Sequence, residues 1–202
     1  MQIGPRYKKA RYLGAPVFSK TQTQKYALRS EAKAKSTKGR RGGKSEFGRQ
    51  MLEKQKARYS YGIGAGQFSK YVKGALQSKG DNAKNLLGTL ESRLDNVVMR
   101  AGFTTSRSAA RQMVSHGHML VNGKKVTVPS YTVLVGDKIT IREGSKKKVI
   151  FSKLDEELKN VKVPAWISVN VETKEIKIEG EPAVATTELL FDVKSVLEFY
   201  TR

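Results

Sequence analysis

The 202-residue chain carries 39 Lys and Arg against 18 Asp and Glu, a net charge of +21, and has no cysteine. Such a length buries one or two modest cores, and such a charge selects polyanionic partners. Disulfides, thiol nucleophiles and thiolate metal sites are excluded, no apolar run approaches a bilayer span, and no signal-peptide core opens the chain, so it reads as cytosolic.

The charge is graded. Residues 1–80 hold 20 basic and 3 acidic side chains (net +17), 81–153 hold 13 and 5 (+8), and 154–202 hold 6 and 10 (−4). The basic part is suited to a polyanion and the tail to protein packing.

Residues 1–44 are rich in Lys, Arg, Ser, Thr and Gly and read as a flexible basic arm with little core of its own. Arg6, Lys8, Lys9 and Arg11 alternate with Tyr7 and Tyr12. Gly39, Gly42 and Gly43 set pliable backbone among Arg40, Arg41 and Lys44, which suits close approach to a phosphate backbone. Ser45 caps a helix to about Tyr59, with Phe47, Met51, Leu52 and Tyr59 inward and Arg49, Lys54, Lys56 and Arg58 mainly outward. Gly62, Gly64 and Gly66 then mark a flexible joint; no strand precedes them and no Gly-Lys-Ser/Thr follows, so they are not a nucleotide loop. From Gln67 to Gln77 the helical pattern returns, Phe68, Val72 and Leu76 on one face, Lys70 and Lys73 on the other.

Leu86, Leu90, Leu94, Val97, Val98 and Ala101 predict one amphipathic helix closed by Gly102. Ser106 caps a second, Arg107 to His116, with Ala110, Met113 and Val114 on one face, Arg107, Arg111 and Ser115 on another, and Gly117 at its end. His118–Val121, the two-residue turn Asn122-Gly123 and Lys124–Val128 predict a hairpin with Lys124 and Lys125 beside the turn. Gly136-Asp137 introduces a further strand, Lys138–Ile141. Lys146, Lys147 and Lys148 form a short cationic run, Ser152–Leu158 reads as a polar helix, and Pro164–Val171 reads as a strand with Trp166 in a core and Ile176–Ile178 as its partner.

Two helices set against a small sheet with the cations on one side can grip phosphates. The four-residue spacing of Arg107 and Arg111 aims both guanidiniums to one side, and a guanidinium matches phosphate oxygens with two bonds. His116 and His118 lack a third metal ligand at useful spacing, so a polar contact to RNA or a turn-stabilising bond suits them better. No paired carboxylates or Ser-His-Asp arrangement emerges; Asp155, Glu156 and Glu157 lie in the least basic segment and suit a solvated helix face or a protein contact.

The segments Leu90–Val98, Ser106–His118, Val121–Lys124, Pro129–Tyr131 and Gly136-Asp137 closely resemble the RNA-binding module of the small-subunit ribosomal protein four family, and Glu46–Tyr59 and Asp192–Tyr200 are also similar to it. The resemblance implies an α+β fold: a mainly helical basic amino-terminal lobe joined by the carboxy-terminal segment, with an inserted module of two helices and a small antiparallel sheet (αL type). The corresponding division is a basic arm at 1–44, a helical lobe at 45–85, the RNA-binding module at 86–145 and a segment packing back on the lobe at 146–202. Many relatives carry a zinc-binding cysteine cluster near the amino terminus; this chain has none, so neither zinc nor any other cofactor is expected.

The resemblance further implies binding of small-subunit ribosomal RNA at a multi-helix junction, nucleation of subunit-body assembly, an interface with small-subunit protein five that influences decoding accuracy, and a place at the messenger RNA entry channel. The candidate RNA-contacting set is Arg40, Arg41, Lys44, Arg49, Lys54, Lys56, Arg58, Lys70, Lys73, Arg93, Arg107, Arg111, Gln112, Ser115, His116, His118, Asn122, Lys124 and Lys125. Two rivals share the module: a pseudouridine synthase-like enzyme, for which Arg93-Leu94-Asp95 is the decoy motif, and a binder of stalled ribosomes. The first needs a separate catalytic domain, and a helical Asp95 suits an orienting salt bridge better than catalysis.

Overall fold

The computed structural model describes residues 4–36, 45–152, 154, 158, 161–184 and 188–201. The chain forms two compact units, Met1–Leu86 with Val184–Arg202, and Leu87–Ala183.

In the first unit, α1 (Arg6–Leu13) ends at Gly14, whose φ of 68° is the left-handed conformation that closes helices without a Cβ penalty. A 3-10 turn at Ser19–Thr21 leads to α2 (Gln24–Ser36). Ala10, Leu13, Val17 and Phe18 pack with Leu52, and Tyr26 and Tyr59 lie against them. The expected basic arm is thereby corrected over its described part, because a few apolar residues concentrated between Ala10 and Phe18 suffice to seat it on α3 (Glu46–Ser60). Residues 37–44, with Arg40, Arg41 and Lys44, lie outside the described residues.

Ser45 caps α3 as expected, its Oγ accepting from the Gly48 N–H at 3.2 Å. Between α3 and α4 (Ala65–Gln77), Tyr61 and Ile63 are buried and Gly62 has a φ of 64°. The expected loose joint is therefore a packed helix-to-helix turn. Helix α9 (Val193–Thr201), which follows the short α8 (Glu143–Lys146) of the second unit in sequence, lies on α3 and α4. Gln50 Nε2 donates to Glu198 Oε2 at 3.1 Å, the Asp192 N–H donates to Glu53 Oε2 at 3.0 Å, and the Phe68 and Tyr200 rings lie 6.3 Å apart. Asp192 caps α9 by accepting from Ser195 Oγ and the Lys194 N–H; these bonds, the serine's foremost, hold its carboxyl below the usual range.

The second unit contains the break that the pattern of leucines and valines conceals. The predicted single helix is two, α5 (Asn82–Glu91) and α6 (Leu94–Arg100), separated at Ser92-Arg93. The loop at 129–133 enforces it: the Leu94 and Asp95 N–H groups donate to the Tyr131 and Pro129 carbonyls at 2.8 and 3.1 Å, and the Val133 N–H donates to the Ser92 carbonyl at 2.8 Å. Donors that a continuous helix would satisfy internally are met by a distant loop. Helix α7 (Arg107–Ser115) follows the expected signals, with Ser106 Oγ accepting from Ala109 N–H at 3.3 Å and Gly117 at a φ of 69°.

Strands β1 (Met119–Val121), β2 (Lys124–Lys125), β3 (Lys138–Ile141), β4 (Ile167–Asn170) and β5 (Glu175–Ile178) form one antiparallel sheet in the order β2-β1-β3-β5-β4. Asn122 and Gly123 both have positive φ, 49° and 76°, as a type I′ turn demands. In register, Val121 faces Ile139, Ile139 faces Ile176 and Ile176 faces Val169. Val97, Val98, Ala110 and Val114 from the helices close one core with these strands, joined by Phe151 and Trp166. The pairing of Ile139 with Ile176 corrects the expected division: residues up to Ala183 belong to this unit, and only those from Val184 onward return to the first. Among the described residues, no helix is long and apolar enough to cross a membrane.

Candidate nucleic-acid interface

The centre of the second unit is a buried ionic cluster made by the break between α5 and α6. Glu91 ends one helix, Asp95 and Asn96 begin the next, and all three are buried. Asp95 receives Arg93 on both carboxylate oxygens, at 3.0 and 2.7 Å, and Arg111 from α7 on Oδ2, at 3.1 and 2.9 Å. Glu91 receives Arg100 at 3.0 and 3.1 Å and Asn96 Nδ2 at 2.6 Å. Arg107 donates through Nε to Asn96 Oδ1 at 2.7 Å and lies 3.9 Å from Glu91. Four guanidiniums thus share two carboxylates, and the surplus charge faces outward on Arg107 and Arg111, whose side chains are 25% and 30% exposed. A planar fork held from behind in this way loses little conformational freedom when its outer edge meets a phosphate.

The structure revises the roles expected of three arginines. Arg93 is 1% exposed and is a structural cation, not a surface contact. Arg107 and Arg111 do lie on one side, as their spacing implied, but they also neutralise buried acids on α5 and α6, Glu91 and Asp95. Glu91, Asn96 and Arg100 were missed, because they flank the apolar stripe without interrupting it and nothing local marks Glu91 and Asn96 as buried.

Around the cluster, Gln112, Ser115, His116, Lys124 and Lys125 are exposed. Lys125 crosses the end of α7 where Gly117 has no side chain: a Cβ there would collide with the lysine Cε. Glycine thereby lets a hairpin cation rest at the helix carboxy terminus, where the helix dipole favours positive charge. Asn122 is exposed but acts as a staple, donating to Asp137 Oδ1 at 2.8 Å and accepting from the Lys138 N–H at 2.9 Å.

His118 is not available as a surface contact. It is 5% exposed, its Nδ1 lies 2.9 Å from Ser145 Oγ, and Phe151 meets it edge to face. Burial foremost, then Lys148, His116 and Arg142, holds its pKa below the ordinary histidine value. The unfolded chain then binds the proton that the folded one refuses. Stability is complete above the unfolded pKa of about 6.5 and falls as pH drops from there toward the folded value. Urea midpoints measured at pH 7.5 and 5.5 are expected to show this loss, and His118→Asn is expected to reduce it.

In the first unit, Arg49, Lys70 and Lys73 are exposed as expected. Lys54 is not: α9 covers it, placing its Nζ 4.0 Å from the Phe199 ring centroid, and burial lowers its pKa. Lys56 pairs with Glu53 at 2.7 Å, and the Arg58 guanidinium lies 4.7 Å from the Tyr59 ring centroid. Lys54 is drawn into packing because α9 closes on the face the helical pattern assigned to solvent, while Lys56 and Arg58 are held by neighbours on α3 itself. Among the described residues, no group of three or more His, Asp or Glu could hold a metal ion.

Two helices on a small antiparallel sheet, bearing a cationic outer face, define an S4 domain, and the family model of that description matches residues 92–139. A second, described as the ribosomal protein S4/S9 N-terminal domain, matches residues 2–91. The chain is 46% identical over 158 residues to the small ribosomal subunit protein uS4 of Corynebacterium kroppenstedtii, covering 78% of this chain and 79% of that one. It is 39% identical over 203 residues to the uS4 protein of Halothermothrix orenii, covering 98% of each. Another similar relative is uS4 of Delftia acidovorans, 39% identical over 99% of this chain and 98% of that one. The chain belongs to the small ribosomal subunit protein uS4 family.

Proposed function

We propose that the chain is a structural, non-enzymatic component of the small ribosomal subunit that binds small-subunit ribosomal RNA at a multi-helix junction and helps nucleate assembly of the subunit body. The observation that carries this reading is the carboxylate-braced pair Arg107 and Arg111, set beside Gln112, Ser115, His116, Lys124 and Lys125. Braced cations fit a backbone of fixed shape, and double-helical RNA is read through backbone and shape because its deep groove hides base edges. Arg49, Lys70 and Lys73 add exposed cations in the other unit, and Arg40, Arg41 and Lys44 belong to the same reading from sequence. As in the family, the further roles proposed are an interface with small-subunit protein five bearing on accuracy and a contact with messenger RNA at the entry channel, all within the cytoplasmic ribosome.

The pseudouridine synthase reading is disfavoured by Asp95 itself. It is 3% exposed and both its oxygens accept from arginine, whereas a catalytic carboxylate must reach its substrate.

The decisive variant is Lys124→Ala, Lys125→Ala. An Arg107→Ala, Arg111→Ala protein could fail to bind merely because buried acids lost their partners. The lysines are exposed, so their loss spares the core. At 0.7–0.9 of slope per lost phosphate contact, the salt dependence of binding to small-subunit RNA is expected to flatten by about 1.4–1.8. Unchanged affinity and slope would remove the hairpin from the interface.

A further inference from the structure

His118, Arg142, Ser145 and Lys148 are tied into one corner of the second unit by a run of hydrogen bonds. The Arg142 N–H donates to the His118 carbonyl at 2.8 Å, the Ser145 N–H to the Arg142 carbonyl at 2.8 Å, and the Lys148 N–H to the Ser145 carbonyl at 3.0 Å. Ser145, fully buried in α8, closes the run by meeting His118 Nδ1 through its Oγ. The His116 ring lies 5.9 Å from that of His118, and Lys125 crosses Gly117, the residue between them.

The charges that act on His118 are Lys148, His116 and Arg142, and each is cationic or becomes so in acid. Glu143, the neighbour of Arg142 in sequence, has a side chain 84% exposed and pairs with Lys146 instead. Arg142 Nε is buried and has no hydrogen-bond partner among the described residues. A buried N–H without an acceptor is costly, and cations around an imidazole keep it neutral. One anion relieves both, because it accepts from the guanidinium and lets the imidazole hold a proton. His116 and Lys148 are exposed and Arg142 is only partly buried, so a modest turn of the arginine presents its Nε edge to an ion arriving from solvent.

We propose that Arg142, Lys148 and His116 form a site for an oxyanion of the phosphate or sulfate class, and that the proton on His118 sets its affinity. The proposal does not rest on the reading of the chain as an RNA binder, since a free ion and an RNA phosphate present the same oxygens. An anion favours the imidazolium, so His118 takes up a proton as the ion binds. By linkage, the ion then binds more tightly as pH falls. The corner answers acid by gaining an anion, which offsets the loss of stability that protonation alone brings.

The test follows the ring signals of the two histidines of the full chain by NMR between pH 7.5 and 5.5, in chloride and in dilute sulfate at equal ionic strength. Sulfate serves as the probe because it stays a dianion throughout. His118 is expected to titrate at higher pH in sulfate, and sulfate to bind roughly three- to thirtyfold more tightly at pH 5.5 than at pH 7.5. Lys148→Gln, at an exposed position, and Arg142→Gln are each expected to remove most of both effects. The double variant Lys70→Gln, Lys73→Gln, in the other unit, is expected to remove neither. A His118 titration that sulfate does not move, or one moved equally in the Lys148 and Arg142 variants, overturns the site. The complex with small-subunit RNA identifies the source. If RNA supplies the phosphate, His118 titrates higher there without sulfate, and sulfate adds nothing; if the ligand is a free ion, sulfate still moves it. RNA binding with His118 unmoved by either RNA or sulfate overturns the site and leaves the RNA reading standing, whereas failure to bind RNA with the sulfate response intact does the reverse.

Discussion

Asp95→Ala is expected to destabilise the second unit by about 3–5 kcal/mol, the usual consequence of stranding one member of a buried ion pair. Arg93 has a side chain only 2% exposed, and its bonds to both Asp95 oxygens, at 3.0 and 2.7 Å, offset much of the cost of burying it. Arg111, at 30% exposure, can turn to water; Arg93 cannot. The readout is the urea midpoint together with amide exchange, which should quicken across α6 and α7. Adding Arg93→Met should recover most of the loss, since the variant then buries an apolar chain in place of an uncompensated cation. A loss below about 1 kcal/mol in Asp95→Ala would mean that the cluster does not hold the two helices together.

Phe68→Ala is expected to cost a similar amount, about 3–5 kcal/mol, in the first unit. The ring is fully buried and sits among Val72, Ala75 and the Tyr200 ring, where α9 meets α4. Removing it leaves a void that a short helix anchored by aromatic contacts cannot close. Exchange should quicken over α4 and α9 and leave β1, β3 and β5 protected, so a uniform acceleration over both units would argue against this account.

What the sequence disclosed and what it concealed divide by the range of the interactions responsible. The bounds of α7 were legible because Ser106 and Gly117 act within a few residues, and the hairpin turn because Asn122-Gly123 encodes its own backbone. The pairing of Ile176 with β4 followed from the strand pattern, and Trp166 as a core residue from the general tendency of large aromatics to be buried. The break at Ser92-Arg93 was hidden, since the groups that enforce it arrive from residues 129–133, and the apolar pattern runs on undisturbed. The seating of residues 10–18 was hidden by their basic surroundings. Within the candidate interface, spacing placed Arg107 and Arg111 correctly on one face but could not show the acids behind them, which lie on other helices.

The first unit is closed by a bond between Gln50 and Glu198, 148 positions apart. During vectorial synthesis α3 and α4 emerge early, yet the helix that covers Phe68 is translated only after the whole second unit. Until then their apolar flank is bare, so the nascent chain completes its later-encoded unit first and passes through a stage in which an aromatic seam is open to chaperones and to self-association.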